Sequence, residues 1–159
     1  MIARAPSPPC AAFRHHGNVP TSCAFCEIAA GRVPAPIVVD DGRFLAFLDN
    51  RPLFPGHCLL IPRAHYQTLP DLPVSDTGPL FELARLLCTA VEQTMDAQGT
   101  FVALNNRVSQ SVPHLHVHIV PRRQKDGLKG FFWPRTKYQD SEEIENTRAA
   151  IQVAIERLK

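Results

Sequence analysis

His114-Leu115-His116-Val117-His118-Ile119-Val120-Pro121 is the stretch from which the fold can be read. Three imidazoles alternate with three branched apolar residues, and a period of two marks a strand. The alternation predicts that Leu115, Val117 and Ile119 face a core, while His114, His116 and His118 line the opposite face. Pro121 is expected to end the run. Three groups that titrate near neutral pH, fixed in a row on a rigid element, are more than a solvated strand face requires.

The neighbouring sequence supplies partners for such a strand. Ile37–Asp40 and Arg43–Leu48 flank Asp41-Gly42, a tight-turn pair, and read as a hairpin. Pro55-Gly56 is a second turn, after which His57–Ile61 reads as a third strand. Phe101–Leu104 reads as a fourth and the histidine run as a fifth. Leu80, Leu83, Leu87, Val91 and Met95 recur at helical spacing over 76–96. A short helix is expected over Cys26–Ala30, stopped by Gly31. Asp140-Ser141-Glu142-Glu143 offers a capped, acidic helix start, followed by an apolar stripe of Ile144, Ile151, Ile155 and Leu158. Strands, a long helix, two more strands and a final helix define an α+β domain.

Composition bounds the function. The chain has 159 residues, 45% hydrophobic and 20% charged, enough for one domain with its own core. A net charge of +2 gives no general attraction to nucleic acid or membrane surfaces. No apolar run approaches the roughly 20 residues of a membrane span. Residues 1–22, with Pro6, Pro8, Pro9, Gly17 and Pro20, are expected to form a disordered tail, and residues 23–159 the folded domain. Five cysteines, an odd number, with no export-type apolar segment, suggest a reducing, cytoplasmic setting. Residues 122–139 mix Arg122, Arg123, Lys125, Lys129, Arg135 and Lys137 with Phe131, Phe132, Trp133 and Tyr138. Such mixing can track a nucleic acid. In a chain of low net charge it reads better as a loop over the site or a dimer partner.

Chemistry leaves three readings of the histidines. They could be ordinary polar residues, metal ligands, or a nucleophile with its helpers. At about 3.3 Å per residue, His114 and His118 start roughly 13 Å apart, so one ion cannot easily collect all three. At least one imidazole is left for another task. A neutral imidazole can attack phosphorus if its other nitrogen is held by a fixed acceptor. Asn105, Asn106, Ser109, Gln110 and Ser111, immediately upstream, are neutral donors suited to phosphate oxygens.

Gln110-Ser111-Val112-Pro113-His114-Leu115-His116-Val117-His118-Ile119-Val120-Pro121-Arg122 resembles the signature of the histidine triad (HIT) family. Cys23–Ile28, Phe44–Asp49 and Pro55–His65 agree with its upstream blocks in order. The resemblance implies a HIT-like fold, a five-stranded antiparallel sheet packed with two main helices, usually as a homodimer. It implies a nucleotide hydrolase or transferase that cleaves a purine nucleoside 5′-phosphoryl bond at the α-phosphorus through a nucleotidyl-histidine. By position, His116 would be the nucleophile. His118 and Gln110 would contact the phosphate, and Ser111 the phosphate or leaving group. Asp49 would grip the ribose, Asn105 the sugar and phosphate side, and Phe25, Ile28, Phe47 and Leu48 would line the base pocket.

Cys23 and Cys26 have the spacing of a zinc half-site. The resemblance completes it with His65 and His114 as a closed, structural Cys2His2 site. His57, Cys58 and Cys88 read as structural. The loop Asn105-Asn106-Arg107-Val108-Ser109 is shorter than the family's glycine-containing one, so that side chains such as Arg107 could replace backbone contacts to phosphate. It also looks like a branch with adenylylsulfatase-type members. The alternatives are a nucleotide-binding regulatory module with negligible turnover and a metallohydrolase that uses the triad as ligands.

Overall fold

The computed structural model describes residues 23–128 and 138–158; the expected tail over residues 1–22 lies outside them, as do residues 129–137 of the basic and aromatic segment. The chain divides into two compact units, Met1–Asp126 and Gly127–Lys159. In the first, the order is α1 (Ala24–Ala29), β1 (Ile37–Asp40), β2 (Phe44–Leu48), β3 (Cys58–Pro62), a 3-10 turn (Leu69–Asp71), α2 (Val74–Met95), β4 (Gly99–Ala103) and β5 (Val117–Arg122). The five strands form one antiparallel sheet in the order β1-β2-β3-β5-β4. The second unit holds α3 (Ser141–Leu158). Its start is the expected one, with the Glu143 amide donating to Asp140 at 2.8 Å and the Gln139 amide to Glu143 at 2.5 Å.

Both faces of the sheet centre are covered, and this decides where the histidines sit. Phe44, Ala46, Cys58, Leu60, Leu115, Val117 and Ile119 join Leu80, Ala84, Leu87 and Val91 of α2 in one core cluster. Leu45, Phe47, Leu59 and Ile61 point the other way and meet Phe25 and Ala29 of α1 in a second. β2 and β3 are therefore apolar almost continuously, as strands between two layers must be. The histidine run was expected to be half-buried; the second layer buries its polar side as well, leaving His114 and His116 at 0% and 4% exposure.

The histidine run also differs from the expected strand in extent. β5 begins only at Val117, so His114 and His116 precede it. Pro113 lacks an amide hydrogen, the His114 amide bonds back to the Val112 carbonyl at 2.8 Å, and the Leu115 amide donates to the Tyr66 carbonyl at 2.6 Å. The His114 carbonyl, which a ladder neighbour would otherwise take, accepts from the His116 ring. At its other end β5 runs past Pro121 to Arg122. Pairing with β3 stops at Ile119, so the missing proline donor on that side is tolerated.

Two local devices fix the connections. Pro79 inside α2 cannot donate to the Ser75 carbonyl, and the Arg43 guanidinium takes that carbonyl at 3.1 Å while also pairing with Asp76. Gly56 turns the chain into β3 at φ +90°, where a Cβ would stand 2.6 Å from Met95 Cγ.

Leu60 is wholly buried at the sheet centre. Leu60→Ala should lower stability by about 2–5 kcal/mol, read as a drop in urea midpoint at unchanged m-value.

Candidate active site

The end of β2, the turn into β3 and the entry to β5 place the candidate residues together on the α1 side of the sheet. His57, His114 and His116 each have one nitrogen engaged by a backbone group of known polarity, so their tautomers follow from their partners, and that of His118 follows from His57.

His114 Nε2 lies 2.8 Å from the Pro62 carbonyl, which can only accept, so Nε2 carries the hydrogen. Its Nδ1 lone pair then faces the cysteines, with Cys23 Sγ at 3.5 Å and Cys26 Sγ at 3.6 Å. Cys26 Sγ is also 3.2 Å from His65 Nδ1. The four donor atoms of Cys23, Cys26, His65 and His114 all lie within 4.8 Å of one another. A tetrahedral zinc with bonds of about 2.0–2.3 Å separates sulfur from nitrogen ligands by about 3.5 Å. The donor set and its spacing therefore fit that ion. Burial pushes the Cys23 thiol up, while its interactions with the His114 and His65 side chains and the Cys26 backbone bring it down to about 5.

His116 is arranged differently. Its Nδ1 donates to the His114 carbonyl at 2.7 Å, so Nε2 holds the free lone pair. The ring packs edge-on against Phe25 and His118, with centroids 5.3 and 4.9 Å away. Nε2 has no partner among the described residues, yet none of their buried side-chain nitrogens or oxygens is unsatisfied. The atom is thus open to the outside although most of the ring is covered. Burial holds the His116 pKa below the ordinary histidine range, and the hydrogen bond to His114 opposes this only in part.

His118 is oriented by a residue that sequence reasoning assigned to structure. The Leu53 amide donates to His57 Nδ1 at 3.2 Å, which leaves His57 Nε2 to donate to His118 Nδ1 at 3.0 Å. His118 Nε2 must then carry a hydrogen and act as a donor. Asp49 Oδ2 stands 3.6 Å from His57 Nδ1, beyond hydrogen-bond range, and Asp49 Oδ1 accepts from the Arg51 amide at 2.8 Å. Burial depresses the His57 pKa, with Asp49 opposing it. Burial, then the charges of His116 and His57, push His118 down to about 4, again against Asp49. The only sequence signal for His57 was its place directly after the Pro55-Gly56 turn, and nothing local distinguishes such a histidine from a core one.

The other expected site residues divide by availability. Phe25 and Phe47 are buried and meet edge to face at 5.6 Å, whereas Ile28 is half-buried and Leu48 is exposed at the rim. Ser111 is exposed. Gln110 is held by the loop: its Oε1 accepts from the Arg107 amide at 2.8 Å, and its Nε2 donates to the Gln67 carbonyl at 2.7 Å and the His114 carbonyl at 3.4 Å. Asn105 donates to the Ser109 carbonyl at 3.1 Å. Both side chains thus shape the loop that carries Ser111. Cys58 is buried in the core with its pKa raised by burial, as expected for a packing residue.

Fold and site together define a class: an antiparallel sheet carrying one open imidazole nitrogen between a metal-ready cluster and a histidine donor. The HIT domain family model matches residues 30–125, more than half the chain, and the chain belongs to that family. An adenylylsulfatase, HINT3 of Arabidopsis thaliana, is 33% identical over 108 residues, 67% of this chain and 55% of its own length. The adenosine 5′-monophosphoramidase HNT1 of Candida albicans is 32% identical over 119 residues, 71% of this chain and 78% of its own. Among solved structures, a HIT-family protein from Bacillus subtilis is 30% identical with a TM-score of 0.74, covering 82% of this chain and 94% of that one. A zinc-bound histidine triad family protein from Mycobacterium smegmatis is 32% identical with a TM-score of 0.65, covering 87% and 98%. No helix among the described residues is long and apolar enough to cross a membrane.

The tautomers are directly measurable. Long-range proton–nitrogen NMR at pH 7 should show His116 as the Nδ1–H form and His118 as the Nε2–H form, with His118 titrating near 4. The unfolded chain protonates this histidine near 6.5. Folding stability should therefore be complete above 6.5 and fall as pH drops from there towards 4, where the unfolded state binds the extra proton.

Proposed function

We propose that this chain is a nucleotidyl hydrolase or transferase acting at the α-phosphorus of a purine nucleoside 5′-phosphoryl compound, with His116 as the covalent nucleophile. The observation that carries the reading is the polarity of the His116 ring, with Nδ1–H fixed on a main-chain carbonyl and Nε2 free. A nucleophilic imidazole needs that tautomer, and here it needs no proton removed before attack.

In the first step, the Nε2 lone pair forms a bond to phosphorus as the bond to the leaving group breaks, and the leaving group departs with the electron pair. The Nδ1–H on His114 stabilises the positive charge that then develops on the ring. The His118 Nε2–H donates to a non-bridging oxygen, and the Ser111 hydroxyl serves the phosphate or the departing group. Gln110 assists by steadying the His114 carbonyl, since contact with the phosphate would require it to give up loop bonds. Asp49 accepts from the ribose hydroxyls. Phe25 and Phe47 form the floor of the base pocket, and Ile28 and Leu48 its rim. Asn105 orders the loop on the sugar and phosphate side. In the second step, water attacks phosphorus, the N–P bond returns its electrons to Nε2, and a proton passes to solvent.

Cys23, Cys26, His65 and His114 would hold a zinc ion. With four protein ligands it has no open position, so its contribution is to tie α1 to the loop ahead of β5. The activities for which the two relatives are named, adenylylsulfatase and adenosine 5′-monophosphoramidase, support hydrolase chemistry on an adenylyl group. A cytoplasmic homodimer completes the reading.

His116→Ala should reduce turnover of an adenylyl substrate by at least about a thousandfold while leaving circular dichroism and zinc content unchanged. α-Labelled substrate should mark His116 in the wild type. Binding without turnover in the wild type would make the protein a nucleotide-binding module instead, and zinc loss in His116→Ala would make the triad a metal centre. Cys26→Ser should lower zinc content and melting temperature together.

A further inference from the structure

We infer that Arg107 selects substrates whose leaving group is an oxyanion, sulfate or phosphate, over those whose leaving group is an amine. The inference rests on the functional reading above and assigns the part of the substrate that reading leaves open.

Placement is the first support. With the strand order β1-β2-β3-β5-β4, the proposed nucleoside contacts Phe47, Leu48 and Asp49 lie towards β2 from His116. Residues 104–113, between β4 and the histidine run, border His116 on the other side. Arg107 sits in that connection, tied to the nucleophile by a short chain of bonds. Its amide donates to Gln110 Oε1, Gln110 Nε2 reaches the His114 carbonyl, and that carbonyl also holds His116 Nδ1. In-line displacement sends the leaving group away from the entering nitrogen. The nucleoside is proposed to take the β2 side, which leaves the loop side, where Arg107 is exposed, for the rest of the substrate.

Conformation is the second. Arg107 and Ser109 both have left-handed backbones, φ +68° and +57°, which side-chain-bearing residues adopt at a cost. The loop is nevertheless pinned in this shape by Gln110, by Asn105 on the Ser109 carbonyl, and by Asn106 Oδ1 accepting from the Leu69 amide at 2.9 Å. A glycine would adopt φ +68° without that cost, so the position holds a cation where the backbone favours no side chain at all.

Charge is the third. Arg107 is exposed and forms no ion pair among the described residues, a property it shares with Arg51 and Arg85, which lie outside the loop. Its guanidinium is free for a planar oxyanion contact.

The chemistry balances without a proton from Arg107. As the His116 Nε2–P bond forms, the bond from phosphorus to the bridging oxygen breaks, and sulfate or phosphate leaves with the electron pair and a growing negative charge. The guanidinium, charged throughout, stabilises that growth. An amine leaves only after gaining a proton and carries no anionic charge for Arg107 to meet.

The test compares adenosine 5′-phosphosulfate, a dinucleoside polyphosphate and adenosine 5′-phosphoramidate in wild type, Arg107→Gln and Arg107→Lys. Arg107→Gln should lower kcat/KM for at least one anionic-leaving-group substrate about tenfold or more, and that for the phosphoramidate by less than about twofold. The anion with the larger loss is the one recognised, and Arg107→Lys should restore part of it. The melting temperature should not move. An equal loss on all three substrates, or no loss on either anionic one, overturns the inference and leaves the nucleotidyl-transfer reading standing. Failure of the wild type to turn over any of them overturns both.

Discussion

The His114 carbonyl is the acceptor on which the site depends. Three things converge at this residue: the ring hydrogen of His116 and the amide of Gln110 on its oxygen, and the two cysteines around its own ring nitrogen. A carbonyl accepts only, so the hydrogen on the His116 ring is placed on the inner nitrogen and the outer one is left basic. That single constraint leaves a largely buried histidine with a free lone pair on Nε2, the form the proposed nucleophile needs. It holds because His114 is itself anchored, Nε2 on the Pro62 carbonyl at the end of a central strand.

Burial does the second part of the work. A sheet covered on both sides keeps water from most of the His116 and His118 rings, and desolvation penalises their charged forms. Neutral imidazoles at physiological pH can then play opposite parts according to which nitrogen is engaged. His116 presents a lone pair, and His118, turned by His57, presents a hydrogen. Two identical side chains two residues apart are differentiated by one carbonyl and one neighbouring ring.

The three histidines also divide among separate clusters, as strand spacing requires. His114 belongs with Cys23, Cys26 and His65, and His118 with Asp49 and His57, while His116 is in neither. The residue that closes the metal-ready cluster is the one whose main chain orients the His116 ring. Order in α1 and order at His116 are thereby linked through a single residue.

Much of this was legible in the residues themselves. The period-two run, the Asp41-Gly42 and Pro55-Gly56 turns and the apolar spacing of α2 predict five strands and a long helix, because side-chain periodicity follows directly from backbone geometry. The pairing of Cys23 and Cys26 with His65 and His114 followed from resemblance, and the fold brings the four together. Three features depend on contacts distant in sequence and could not be read along the chain. They are the second layer that buries the histidine face, the His57 ring that sets the tautomer of His118 from 61 positions away, and the Gln110 side chain drawn into its own loop. Sequence by itself determined which residue types could do the chemistry and on which elements they lie. Only tertiary structure decided which nitrogen of each ring is free, because a tautomer is set by the partner that packing brings within about 3 Å of it.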